Sequence, residues 1–314
     1  MQAALSLAER GVGRTGNNPA VGCVIVKEGI VVGRGWTQPG GRPHAEAMAL
    51  AAAGEAARGA TVYVTLEPCA HESTRGPSCA SILIDASLAR IVAAAQDPDP
   101  RTSGEGFAML RAAGIEVVTG ICADDAKHAV AGFFSRIGRD RPFVTLKLAT
   151  SLDGKIAMPD GTSRWITGEA ARAHTHLERG RSDAILVGAG TVRADKPALD
   201  VRLPGMENQK PRRIMLGSGV APNGWTVIRS PEEIGNLECN NLLVEGGAIT
   251  ASAFLRAGLI DRLLLYRAPI LIGSGTACLG DIGLTTLDDA HRRWRLCDTR
   301  RLGNDRLEVY EAVK

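Results

Sequence analysis

The sequence predicts an α/β protein of two domains, and three observations carry that expectation. Strand-like and helix-like patterns alternate along the chain, the arrangement of layered sheets with parallel strand pairs. The 314 residues amount to about two domains of roughly 150 residues each. Arg139-Asp140-Arg141-Pro142 is a polar, proline-containing break between two such alternating runs. The boundary is placed there, giving domains of residues 1–140 and 141–314.

In the first run, residues 20–26 and 30–36 are apolar and β-branched around Lys27-Glu28-Gly29, the pattern of a hairpin. Residues 44–57 form an Ala-rich helical stretch and 61–66 a short strand. Helix 78–89, strand 90–95, helix 104–113 and strand 115–119 follow, and 123–138 reads as one more helix. In the second run, strands are expected at 143–149, 184–187, 213–216, 241–245 and 263–268. Residues 201–210 and 230–240 read as exposed connections, and 294–313 alternates like a terminal antiparallel hairpin.

Composition is 45% hydrophobic and 23% charged, ample for packed cores, while aromatics are only 4%. Cores of Ala, Val, Leu and Ile are therefore expected. The net charge of +3 is mild, and Arg and Lys are scattered without an aromatic-interleaved basic stripe, which argues against a nucleic-acid partner. No apolar run approaches the roughly 20 residues that span a bilayer. Residues 1–13 carry Glu9 and Arg10 in an amphipathic pattern rather than a basic then apolar leader, so no signal peptide is expected. Seven widely spread cysteines read as reduced thiols of a cytoplasmic protein, some free to bind metal.

The strongest chemical signal lies in the first domain. His44-Ala45-Glu46 opens a helix, Thr65-Leu66-Glu67-Pro68-Cys69 runs from a strand into a turn, and Cys79 opens another helix. One imidazole and two thiolates make three zinc ligands, with a fourth position left for water, as in a catalytic site. Such a metal lowers the pKa of its water toward about 7. Glu46 lies about 200° around the helix from His44, so it is free to move protons as the catalytic acid–base instead of ligating. The combination is similar to the zinc nucleobase-deaminase signature, H-x-E followed by P-C and a second Cys. A deaminase of tRNA or free nucleosides would be expected to carry a basic stripe. A structural zinc module would be closed by a fourth protein ligand.

In the common nucleobase deaminases the two cysteines stand as P-C-x-x-C, whereas nine residues separate Cys69 from Cys79. That insert, with Asn18-Pro19-Ala20-Val21-Gly22-Cys23, Pro43-His44-Ala45-Glu46 and Gln96-Asp97-Pro98, resembles the bifunctional deaminase–reductases of riboflavin biosynthesis. The family's loop between the cysteines is often one residue shorter, which keeps His71 open as an alternative ligand to Cys79. The resemblance implies that Asn18 and Glu67 help hold a pyrimidine and that loop 39–42 lies near it. Gly11-Val12-Gly13-Arg14-Thr15-Gly16 fits G-x-G-x-x-G, yet it follows a helix rather than a strand, so it is read as a helix end and not a nucleotide fingerprint.

The second domain carries glycine-bearing strand-to-helix junctions at Val187-Gly188-Ala189-Gly190-Thr191 and Val244-Glu245-Gly246-Gly247. Free backbone N–H groups at such junctions receive phosphate. Together with the inward Lys147 of strand 143–149 and Ser163-Arg164-Trp165, they look like the reductase half of the same family. The resemblance implies a cytidine-deaminase-like zinc domain followed by a dihydrofolate-reductase-like domain. It implies one zinc ion per chain, and NADPH contacted by Ala149, Trp165, Thr191, Asp195 and Gly247. Ser163, Arg179, Leu199, Arg202 and Glu245 would hold a small phosphorylated substrate, with Lys147 polarising or protonating its sugar. Arg179 and Arg202 suit a phosphate because a guanidinium forks onto it. His174 and His176, lacking a Cys or carboxylate partner, read as a surface helix face. The expected substrate is 2,5-diamino-6-(5-phosphoribosylamino)pyrimidin-4-one, and the expected assembly a cytoplasmic homo-oligomer, dimer or tetramer.

Overall fold

A computed structural model describes residues 1–313. The chain divides into two compact units, Met1–Asp140 and Arg141–Lys314.

The first unit runs α1 (Gln2–Ala8), β1 (Gly22–Lys27), β2 (Ile30–Trp36), α2 (Ala45–Ala53), β3 (Thr61–Leu66), α3 (Cys79–Asp85), β4 (Arg90–Ala95), α4 (Glu105–Ala112), β5 (Glu116–Thr119), α5 (Ala123–Ala129) and α6 (Ala131–Arg139). Among the described residues its sheet has the order β2-β1-β3-β4-β5, with β1 antiparallel to both neighbours and β3, β4 and β5 parallel. The core is aliphatic, with Ile25, Leu66, Leu83, Ile91 and Leu110 fully buried. Glycine sets the seat of α2. A Cβ on Gly33 or Gly35 would collide with the carbonyl of Ala49 or Ala45, so the helix lies directly on β2.

Two expected helices come out differently. The Ala-rich helix ends at Gly54, where a 3-10 turn over Gly54–Ala57 takes over. The helix expected at 123–138 is two, because Val130 leaves helical backbone at φ −118° and ψ 32°. Val130 is buried; a β-branched residue is a weak helix former, and seating it in the core outweighs one continuous helix.

The second unit contains β6 (Phe143–Thr150), β7 (Lys155–Ala157), α7 (Glu169–Gly180), β8 (Ala184–Gly188), α8 (Ala189–Asp195), β9 (Arg212–Leu216), β10 (Thr226–Ile228), β11 (Asn241–Glu245), α9 (Ala248–Arg256), β12 (Arg262–Arg267), β13 (Thr276–Ala277), β14 (Trp294–Leu302) and β15 (Asp305–Ala312). Its main sheet has the order β10-β9-β8-β11-β6-β12-β15-β14 among the described residues. The first six are parallel and the last two form the antiparallel hairpin expected from sequence. Arg141 of the polar break forks onto Asp261 at 2.7 and 2.9 Å, and Asp261 also accepts from the Val144 amide at 2.8 Å, so the break anchors β6. Residues 230–240 are not merely an exposed connection. They form a capped 3-10 turn, Pro231–Asn236, that buries Ile234, Leu237 and Cys239. Among the described residues no helix is long and apolar enough to cross a membrane.

Candidate functional site

In the first unit, the carboxyl end of β3 and the N-termini of α2 and α3 bring three donors together. His44 caps α2, Cys79 opens α3 and Cys69 follows β3. His44 Nδ1 lies 3.2 Å from Cys79 Sγ and 3.6 Å from Cys69 Sγ, and the ligand atoms all fall within 4.8 Å of one another. The Cys79 amide donates to Cys69 Sγ at 3.2 Å. Hydrogen bonding from Cys79 pulls the Cys69 thiol down to about 4, and the same contact together with burial pushes Cys79 up. Two thiols this close resist carrying two charges at once, and a divalent cation would relieve that by holding both as thiolates. One imidazole and two sulfurs this close together are a donor set that fits zinc.

Glu46 sits one residue into α2 and is only 3% exposed. Burial lifts its carboxyl above the usual range, while nearby His44 pulls it back. Its carboxyl is not among the clustered donors. His71 points elsewhere, with Nδ1 3.2 Å from Thr102 Oγ1. The insert between the cysteines folds back on loop 39–42, and Arg75 Nη2 donates to the Gly40 carbonyl at 2.9 Å. Asn18 reaches the same loop through Nδ2 and the Gly41 carbonyl at 2.8 Å.

Glu67 is buried, and its two oxygens accept from the amides of Asp97, Gly104 and Phe107 at 3.2, 3.0 and 3.2 Å. Its carboxylate therefore ties down the segment after β4. Sequence reasoning assigned no part to Asp97, a buried residue of that segment whose carboxyl burial pushes up to about 7. The Gln96-Asp97-Pro98 turn was the available signal.

In the second unit, the carboxyl ends of β6, β8 and β11 open into a cavity of about 910 Å³. Every residue expected there lines it: Lys147, Ala149, Ser163, Trp165, Arg179, Thr191, Asp195, Leu199, Arg202, Glu245 and Gly247. Lys147 and Glu245 stand side by side in the β6–β11 register. Burial pulls the Lys147 ammonium below the ordinary lysine value, Glu245 opposing the shift. Arg179 departs from expectation. Its guanidinium forks onto Glu245 at 2.6 and 2.8 Å, both side chains mostly buried, so the fork is spent on a carboxylate of the protein. Arg202 is the more available cation, 65% exposed and 3.4 Å from Asp200.

Trp165 is 64% exposed, with the Arg172 guanidinium 4.8 Å from its ring. The histidines of α7 are half-buried rather than on a surface face. His174 Nδ1 is 2.8 Å from the Tyr266 hydroxyl, and His176 lines the cavity. A Cβ at Gly188 or Gly246 would strike Thr250, whereas Gly190 and Gly247 face open space. Bare backbone at two adjacent strand ends fits a dinucleotide pyrophosphate.

Comparison with known proteins agrees with this geometry. Residues 1–95 match the cytidine and deoxycytidylate deaminase zinc-binding region, and residues 142–230 and 232–307 match the RibD C-terminal domain. Riboflavin biosynthesis protein RibD of Escherichia coli is 40% identical over 97% of this chain and 96% of its own length. That of Aquifex aeolicus is 39% identical over 92% and 91%. The chain belongs to the RibD family. The solved Acinetobacter baumannii RibD superposes with a TM-score of 0.92 at 38% identity, covering 100% of this chain and 98% of that one. A Thermotoga maritima structure, described as a diaminohydroxyphosphoribosylaminopyrimidine deaminase/5-amino-6-(5-phosphoribosylamino)uracil reductase, gives 0.88 at 31% identity, covering 100% and 97%. Like other RibD chains, this one joins a zinc-binding deaminase domain to a reductase domain of the NADPH-dependent type.

Proposed function

We propose that this RibD-family chain is a bifunctional enzyme of riboflavin biosynthesis. Its first unit hydrolytically deaminates 2,5-diamino-6-(5-phosphoribosylamino)pyrimidin-4-one, and its second reduces the ribosyl group of the product to ribityl. The observation that carries the reading is the meeting of His44, Cys69 and Cys79 beside a buried carboxylate, in a chain that matches RibD relatives over more than nine-tenths of its length.

His44, Cys69 and Cys79 would hold zinc, which when bound would supply a water ionised near neutral pH. Glu46 takes up the proton of that water and returns it to the departing amine. Its upward-shifted carboxyl suits both directions, because a catalytic group works best with a pKa near the operating pH. Asn18 and loop 39–42 hold the pyrimidine, and Glu67 contributes by fixing the segment after β4.

In the second unit bound NADPH supplies hydride. The bare backbone at Gly190 and Gly247 takes its phosphates, with Ala149, Trp165, Thr191 and Asp195 alongside. Arg202 takes the substrate phosphate, and Ser163 and Leu199 line the sugar's path. Lys147 protonates the sugar as C1′ is reduced, with Glu245, held by Arg179, beside it in the β6–β11 register. A cytoplasmic homo-oligomer, dimer or tetramer, is the proposed setting, with sedimentation velocity as its check.

Incubation with the diaminopyrimidinone phosphate, without and then with NADPH, tests the reading when products are resolved by mass. One amino group should be replaced by oxygen in both cases, and two hydrogens gained only with NADPH. An unchanged substrate, or a reduction that needs no NADPH, contradicts it.

A further inference from the structure

The cavity accounts for the reacting end of a dinucleotide and leaves its far end unplaced. In the sheet, β9 lies beyond β8, so the order β6, β11, β8, β9 steps outward from Lys147. Three strand spacings of about 4.8 Å give roughly 14 Å, the scale of an extended dinucleotide. With the nicotinamide against β6 and the pyrophosphate at Gly247 and Gly190, the adenosine falls at the carboxyl end of β9.

That end is a turn of bare backbone, Gly217-Ser218-Gly219, with positive φ of 122° at Gly217 and 117° at Gly219. It touches the glycine junction, because a Cβ on Gly217 would lie 3.3 Å from Ala189 Cβ, the first residue of α8. Two exposed guanidiniums flank it. Arg193 Nη1 is 4.0 Å from where a Gly219 Cβ would stand. Arg229 Nη1 donates to the Gly217 carbonyl at 2.9 Å, which fixes that side chain against the turn and leaves its other donors available. Neither arginine has an ion pair among the described residues. The turn itself contains no carboxylate, the group that would instead accept from a free ribose 2′-hydroxyl.

We infer that Arg193 and Arg229, beside turn 217–219, receive the 2′-phosphate of NADPH and set the preference for NADPH over NADH. The inference rests on reading the second unit as an NADPH-dependent reductase. A phosphate monoester presents several acceptor oxygens, and two guanidiniums beside one turn satisfy them with charge-assisted bonds.

Direct titration of NADPH, NADH and adenosine 2′,5′-bisphosphate, followed by calorimetry, tests this without turnover. The wild type should bind NADPH more tightly than NADH. R193A and R229A should each weaken NADPH and the bisphosphate about tenfold, the lower end of a lost charge-assisted contact, and leave NADH unchanged. Both side chains are exposed, so the folded population should not move. Equal losses for NADPH and NADH would assign the arginines to another part of the cofactor and overturn the inference, as would unchanged NADPH binding. A wild type that binds neither nucleotide would overturn the reductase reading itself, whereas equal wild-type affinity for both would sink the 2′-phosphate site alone.

Discussion

Glu46 and Glu245 are both buried carboxylates, and their neighbours send them in opposite directions. Burial raises Glu46, and the charge of His44 with weaker hydrogen bonds offsets it only in part. For Glu245 burial also pushes upward, but hydrogen bonds and charge from Arg179 outweigh it and the group stays ionised. The consequence for mutagenesis is asymmetric. R179A would strip the mostly buried Glu245 carboxylate of its hydrogen-bonded partner, costing about 3–5 kcal/mol of stability, so its kinetics would mix folding with phosphate binding. Arg202 is exposed and gives the cleaner test: R202A should raise the reductase KM for the phosphorylated intermediate by about tenfold or more. Substrate lacking the phosphate should then bind wild type and R202A alike; if the two losses simply multiply, Arg202 does not touch the phosphate. At the metal centre, C79S should lose zinc by elemental analysis and H71A should keep it; the reverse outcome would exchange the two ligands. Lys147 makes a pH prediction. In the proposed role it donates as the ammonium, and its folded pKa is depressed by burial, so kcat for reduction should fall as pH rises through a value below the usual lysine figure of about 10.4. K147Q should be slow and lose that alkaline limb, and a limb that persists would belong to another group.

At the scale of elements, the zinc donors converge because α2 and α3 both begin at the carboxyl end of β3. The contact between α2 and β2 depends on Gly33 and Gly35. Gly35→Ala should therefore push the helix away, costing about 1–3 kcal/mol and lowering zinc content and deamination; a fully zinc-loaded, equally stable variant would contradict that account. The alternation of elements and the zinc donors were legible in the sequence because each depends on local periodicity or on rare residue types in a fixed pattern. The glycine junctions of β8 and β11 were legible for the same reason. What was hidden depends on partners far along the chain. Arg179 finds Glu245 66 residues away, Val130 breaks a helix to reach the core, and the turn Pro231–Asn236 buries Ile234 within a polar stretch. The two-residue strand β13 pairs with β7 across more than a hundred residues, beyond any periodicity.

Over the whole molecule, each unit has its own sheet and its own aliphatic core, and each holds one complete set of chemical groups. In the proposed function a single chain carries two separable chemistries, the first turning on Glu46. The E46Q variant tests it most directly, because the amide cannot carry the proton while its size is kept. Given the diaminopyrimidinone phosphate and NADPH, it should retain zinc but release ammonia about 10²–10⁴-fold more slowly than wild type. Given the deaminated intermediate and NADPH, it should form the ribityl product at the wild-type rate. Ammonia release near the wild-type rate, or loss of both reactions together in a folded, zinc-loaded protein, would contradict the account.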